Sequence, residues 1–285
     1  MKKANKKYVK DFEKNLGEFV KQLEKKISTD KGEWTVKGFI DIYNNIYTIS
    51  TDTKILSKIL EIHIFPELLR FSDQANYELI LAKHQNWYPD ITFVDRKNEK
   101  IKFAVDIKTT FKREKNKVAF TLGSHGSYFK ERDKKKNIQF PYNQYDGHYI
   151  LGIVYNRKDL NDSISEMKIH KLKEKNIESI DSIISDFEFF VSPKWKIASD
   201  SQGSGNTANI GSIKDLDDIK KGNGVFSKLG EKWFDEYWIN YGTVNMVKNG
   251  NSVKVTNIWD FLEFKGRTDL YDQVVAKGAK RKPKK

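Results

Sequence analysis

Tyr88-Pro89-Asp90-Ile91-Thr92-Phe93 and Phe103-Ala104-Val105-Asp106-Ile107-Lys108 are two short apolar runs separated by the charged turn Asp95-Arg96-Lys97-Asn98-Glu99-Lys100, and their reading decides the fold. β-branched and aromatic residues bounded by polar turn residues predict two adjacent strands of a β-meander, over 88–94 and 102–109. Side chains alternate along a strand, so Phe103, Val105 and Ile107 point one way and Ala104, Asp106 and Lys108 the other. A carboxylate and an ammonium are thus set side by side on an element whose other face is core. The meander brings a second carboxylate, Asp90, beside them. Two carboxylates can hold a hard divalent cation, magnesium above all, with the main-chain carbonyl of Ile107 as a further ligand. Such a cation polarises a phosphoryl oxygen, while Lys108 can orient or help deprotonate a water and offset charge on the phosphate. The commoner use of an Asp-X-Lys triplet is a surface ion pair on a half-exposed strand.

Outward from this pair, Phe12, Leu16, Phe19, Val20, Leu23 and Ile27 recur at helical spacing and predict an amphipathic helix ending near 29–32. Residues 34–49, rich in Ile, Tyr and Phe and broken at Asn44-Asn45, predict a hairpin. Thr51 and Asp52 offer N-cap oxygens to a second helix that carries Glu61 toward Pro66 or beyond. Further strands are expected over 118–122, 149–155 and 187–191, giving a central mixed sheet flanked by helices, an α/β (α+β) class. Residues 201–207, Ser-Gln-Gly-Ser-Gly-Asn-Thr, have the composition of a mobile or ligand-shaped loop. Trp233, Phe234, Tyr237, Trp238 and Tyr241 repeat at helical spacing. The terminal Lys280-Arg281-Lys282-Pro283-Lys284-Lys285 is too charged to pack and is expected to be disordered.

The chain has 285 residues, enough for one large domain, and 52 Lys+Arg against 39 Asp+Glu, a net charge of +13 that favours a polyanionic partner. No stretch approaches the apolar length of a membrane span, and the lysine-rich start lacks the apolar core of a signal peptide. With no cysteine there are neither disulfides nor thiolate metal sites, which suits a reducing cytoplasm. The five histidines show no zinc-ligand pattern and are given no catalytic role.

Pro89-Asp90, fifteen residues, then Asp106-Ile107-Lys108 resembles the signature of the PD-(D/E)XK nucleases. The blocks 50–57, 85–90, 105–110, 120–123, 144–145 and 203–212 resemble, in order and spacing, the EcoRV-like type II restriction endonucleases. The resemblance implies a restriction-endonuclease-like fold and a homodimer that clamps duplex DNA and cuts both strands with Mg2+, at a GATATC-like palindrome and to blunt ends. It implies a cognate DNA methyltransferase in the host. Asp90, Asp106 and Lys108 would be catalytic, and Glu61 falls where the family has an acidic helix residue that helps to bind metal; a solvated helix carboxylate is the other reading. Gly203, Ser204, Gly205, Asn206, Thr207 and Asn209 match a recognition loop that enters the major groove, and Gln85 and Asn86 a loop near the minor groove. Lys54, Thr109, Thr110, Ser127 and Lys136 are expected at phosphates. His84, Trp87 and Ala208 depart from the family pattern. The implied organisation is a basic extension over 1–14, an endonuclease domain over 15–245 and a C-terminal DNA-contacting segment with a basic tail over 246–285. Within the domain lie a dimerisation hairpin about 34–49, a catalytic core about 50–155 and a recognition loop about 201–212.

Three other readings compete. A non-cleaving DNA-binding protein is opposed by the intact acid, acid and lysine set, and a repair nuclease of the same superfamily would cut without one fixed sequence. A basic RNA-binding module would stack bases on Trp233, Tyr237 and Trp238, whose helical spacing instead favours packing.

Overall fold

The computed structural model describes residues 6–158, 169–172, 176–203, 208–248 and 250–281. Helix α1 (Lys6–Ile27) buries Phe12, Leu16, Val20, Leu23 and Ile27 of the predicted stripe and leaves Phe19 partly buried, but it starts six residues before Phe12, inside the segment assigned to a basic extension. The hairpin strands β1 (Gly38–Ile40) and β2 (Asn45–Thr48) pair antiparallel, with Asn44 at positive φ in the turn. They are shorter than the predicted hairpin, whose first residue, Trp34, is instead fully buried in the core. Helix α2 (Thr53–Gln74) is capped by Asp52, whose side chain accepts from the Lys54 and Ile55 amides, and it continues through Pro66.

A strand absent from the expectation follows at once, β3 (Tyr77–Leu81). It pairs antiparallel with β4 (Ile91–Asp95), and β4 with β5 (Asn98–Phe111), the predicted meander. Asp95 closes the turn by accepting from the Lys97 and Asn98 amides. β6 (Thr121–Ser124) lies three residues later than expected and outside the central sheet. β7 (Gly147–Arg157) runs parallel to β5, and β9 (Ile184–Pro193) antiparallel to β7, so the central mixed sheet has the order β3-β4-β5-β7-β9. The short β8 (Ile169–Lys171) adds to the β1–β2 hairpin.

Two cores lie on the two faces of this sheet. Phe103, Val105 and Ile107 join α1 and α2, where Phe12 stacks on Phe103 at 4.0 Å and meets Tyr77 edge-on at 5.4 Å. Ala104, Ile150 and Val154 join the second core. That core is roofed by a second sheet in which β11 (Asn209–Ser212) pairs with both β6 and β10 (Ala198–Gln202). The helix Glu231–Asn240 buries Phe234, Tyr237 and Trp238 in it. Tyr237 and Trp238 are fully buried, so they are packing residues and the RNA-stacking reading fails. Among the described residues no helix is long and apolar enough to cross a membrane.

Candidate active site

Ile91 pairs with Val105, so Asp90, one residue earlier on the antiparallel strand, falls beside Asp106 and Ile107. Its carboxylate accepts from the Ile107 amide at 2.7 Å, which fixes the end of β4 against β5. Lys108 Nζ lies 2.6 Å from Asp106 Oδ2 and 3.9 Å from Asp90 Oδ2. Asp106 is only 4 % exposed, so this is not the surface ion pair of the commoner reading. A pair enclosed this far is expensive to desolvate and weak grounds for stability, which makes a chemical use the better explanation of its retention.

Crowding leaves its mark on the acids. Burial, then the charge of Asp106, pushes Asp90 up to about 7, although Lys108 and the Ile107 amide pull it back. For Lys108, burial opposes the charge, but Asp106 and Asp90 outweigh it and raise its pKa. Lys108 is therefore an ammonium at neutral pH. A carboxylate raised by burial and by its acidic neighbour is a place where a divalent cation stabilises the charged form, and an all-oxygen donor set suits a hard ion. The residues fit magnesium as a two-carboxylate site.

Glu61 does not complete a third corner. Among the described residues no group of three His, Cys, Asp or Glu side chains stands close enough to hold a metal ion. Glu61 projects from α2, on the Ile107 side of the sheet, and its carboxylate takes Lys58 Nζ at 2.8 Å. It does line a cleft of about 740 Å³ with Asp90, Ile107, Thr109, Lys54 and Gln85. Thr109 is tied to the Ser57 hydroxyl on that wall. Thr110 points away on the Asp106 face and is 8 % exposed, a poor position for a phosphate contact. Gln85, Asn86, Lys54 and Lys136 are exposed, and the Ser127 hydroxyl is enclosed at the start of a one-turn helix without a hydrogen-bond partner among the described residues.

The proposed recognition segment runs from the end of β10 to β11, two strands that pair antiparallel. Gly203 N donates to Asn209 O at 3.0 Å, and a Cβ on Gly203 would stand 2.8 Å from the Thr121 methyl, so a larger residue there would have to displace Thr121. Asn209 pairs with Ser124 of β6. Ser204, Gly205, Asn206 and Thr207 lie outside the described residues. Gln202 Nε2 and His125 Nε2, 2.8 Å apart, support the hairpin from the side.

Three residues that sequence reasoning passed over matter here. Lys58 engages Glu61, and an i, i+3 acid–base pair on a helix was a readable signal. Asp200, at the root of the hairpin, is fully buried. Lys194, 1 % exposed, opens the one-turn helix that follows β9, beneath the rings of Tyr88 and Phe129, and its Nζ has no hydrogen-bond acceptor among the described residues. Burial brings Lys194 down to about 7 against the pull of Asp106. The expectation of a disordered end is corrected at Lys280, whose amide donates to Asp200 at 2.9 Å; residues 282–285 lie outside the described residues.

A family model described as restriction endonuclease EcoRV matches residues 30–266. The chain is also 36% identical over 234 residues to the type II restriction enzyme EcoRV of Escherichia coli, an alignment spanning 80% of this chain and 90% of that protein. The paired strands, the acid, acid and lysine set and this similarity over most of both chains lead to one conclusion: the chain belongs to the EcoRV family of type II restriction endonucleases.

Proposed function

We propose that this restriction endonuclease hydrolyses both strands of duplex DNA at a GATATC-like palindrome, with Mg2+ as cofactor, and leaves blunt ends. The observation that carries the chemistry is the Lys108 ammonium poised between Asp106 and Asp90 beside a cleft. Asp90 and Asp106, with the Ile107 carbonyl, would hold the ion, and Glu61 would face it from the α2 wall. When bound, the ion supplies Lewis-acid polarisation of the phosphoryl oxygen and an acidified water. Lys108, charged at neutral pH, orients the attacking water and offsets charge accumulating on the phosphate rather than taking a proton. Lys54, Thr109 and Lys136 set the register on the backbone, with Thr110 acting through the packing of β5 and the enclosed Ser127 through the one-turn helix that it opens. Gln85 and Asn86 approach the minor groove, and the hairpin tip, with Gly203 and Asn209 at its base, reads the major groove.

Two copies are needed to cut a palindrome symmetrically. Phe39, Ile40, Ile42 and Tyr43 stand 52 %, 57 %, 87 % and 73 % exposed on the β1–β2 hairpin, an apolar patch suited to covering by a second copy of the chain. The enzyme would work in the host cytoplasm, beside a DNA methyltransferase that protects the same palindrome. The test is digestion of a sequenced plasmid with magnesium or with EDTA, followed by end sequencing. Discrete magnesium-dependent blunt cuts at GATATC are expected; scattered cuts would refute the specificity, and no cuts the catalysis.

A further inference from the structure

The family match ends at residue 266, yet the chain beyond it is packed. Leu270 and Val274 are 7 % exposed and belong to the second core. The Val275 amide donates to Val225 O at 3.3 Å. Lys277 Nζ stands 3.2 Å from Asp215 and 2.5 Å from Asp218, just past the returning arm of the recognition hairpin. At Gly278 an added Cβ would come within 2.3 Å of the Ile213 side chain, so backbone lies directly against the end of β11. The segment then reaches the outgoing arm, where the Lys280 amide donates to Asp200 Oδ1 at 2.9 Å. Lys280 is held further by Trp259 Nε1, which donates to its carbonyl at 2.8 Å, and by its own Nζ, which donates to Thr256 O at 2.7 Å.

Asp200 is the joint. It lies on β10, three residues before Gly203, and is fully buried. Its other oxygen accepts from the Ile258 amide at 3.1 Å, and its carbonyl accepts from Tyr237 Oη at 2.6 Å. A buried carboxylate that loses one of its N–H donors keeps the desolvation penalty without the compensating bond, so Asp200 favours the docked segment strongly. We infer that residues 267–281 form a strap that clamps both arms of the recognition hairpin at their root, with Asp200 as the positioning residue. Discrimination between DNA sequences then depends on a segment outside the family match. The hydrogen bonds and ion pairs named for the strap end on Asp200 of the hairpin, Asp215, Asp218, Val225, Thr256 or Trp259 at the start of the helix Ile258–Phe264. None ends on β4 or β5, so the strap acts on selection before it acts on cutting.

This inference rests on the reading of the hairpin as the element that recognises DNA. It is tested with full-length Asp200→Asn and Lys277→Glu proteins, the second altering a side chain that is 68% exposed and so sparing the fold if the first does not. Two quantities are measured: kcat/KM on a GATATC duplex against one with a single changed base pair, and deuterium exchange at 198–203 and 208–213 against β4 and β5. The expected result is a loss of about tenfold or more in the cognate-to-altered ratio, comparable to losing one base contact, with faster exchange in the hairpin and unchanged protection of β4 and β5. A parent enzyme that is specific, with variants equally specific, overturns the strap alone. A parent that cuts without a preferred sequence removes the reading role of the hairpin, and this inference with it.

Discussion

The strands that carry the acid, acid and lysine set and the hairpin proposed to read DNA are held in place by opposite means. Asp90, Asp106 and Lys108 lie within 19 consecutive residues on two directly paired strands, and β5 is an interior strand of a five-stranded sheet with a core on either face. The hairpin belongs to a small sheet with register shifts in both its pairings, and its root is fixed by Tyr237, Ile258 and Lys280 from far along the chain. Chemistry that tolerates little displacement sits on the stiff element. The hairpin proposed to enter a groove is the more adjustable element, steadied from behind.

The largest stability effect expected on the catalytic side comes from Phe12→Ala. That ring contacts Phe103, Tyr77, Phe93 and Tyr149, so its removal should cost about 3–5 kcal/mol in denaturant unfolding. A cost under about 1 kcal/mol would show that α1 is not what stiffens the sheet. Next comes a pH effect at the seam between the two regions. Lys194 falls from 10.5 to about 7 in the folded protein, so between those values the unfolded chain binds a proton that the native one does not. Stability should therefore rise with pH across that window and lack this gain below about 7, where both states are protonated. Lys194→Met should flatten the rise and stabilise the protein at neutral pH. An unchanged pH profile in the variant would contradict the buried, unpaired amine. The smallest effect is at the cleft wall, where Lys54→Ala should weaken DNA binding evenly across sequences and lower the salt slope by about 1. Loss confined to one sequence would instead make Lys54 a base-reading residue.

The same contrast explains what could be read in advance. The β4–β5 pair was legible because two charges on one face of an otherwise apolar strand break the period-two pattern conspicuously. α1 and the Asp52 cap were legible from spacing and local hydrogen-bonding chemistry. β3 was not, since only Ala75 and Asn76 separate it from α2 and the apolar pattern runs on without a Gly or Pro break; the turn is made by Asn76 at φ 62. The second sheet was hidden because β6 pairs with a strand nearly ninety residues away, and the strap because Lys280 meets Asp200 across a comparable distance. Lys194 left no trace, as a lysine between strands is ordinarily solvated. Glu61 was placed on the right helix, but which way its carboxylate turns depends on Lys58 and on the sheet face below, which spacing to Asp90 does not reveal.

The central claim is that the cutting set is separable from the element that selects DNA, and Lys108→Ala tests it most directly. Binding of a GATATC duplex, measured with calcium in place of magnesium, should stay near that of the parent, while kcat in magnesium falls by about 10²–10³-fold. Parent-like cleavage in the variant, or binding lost in step with cleavage, would contradict the account.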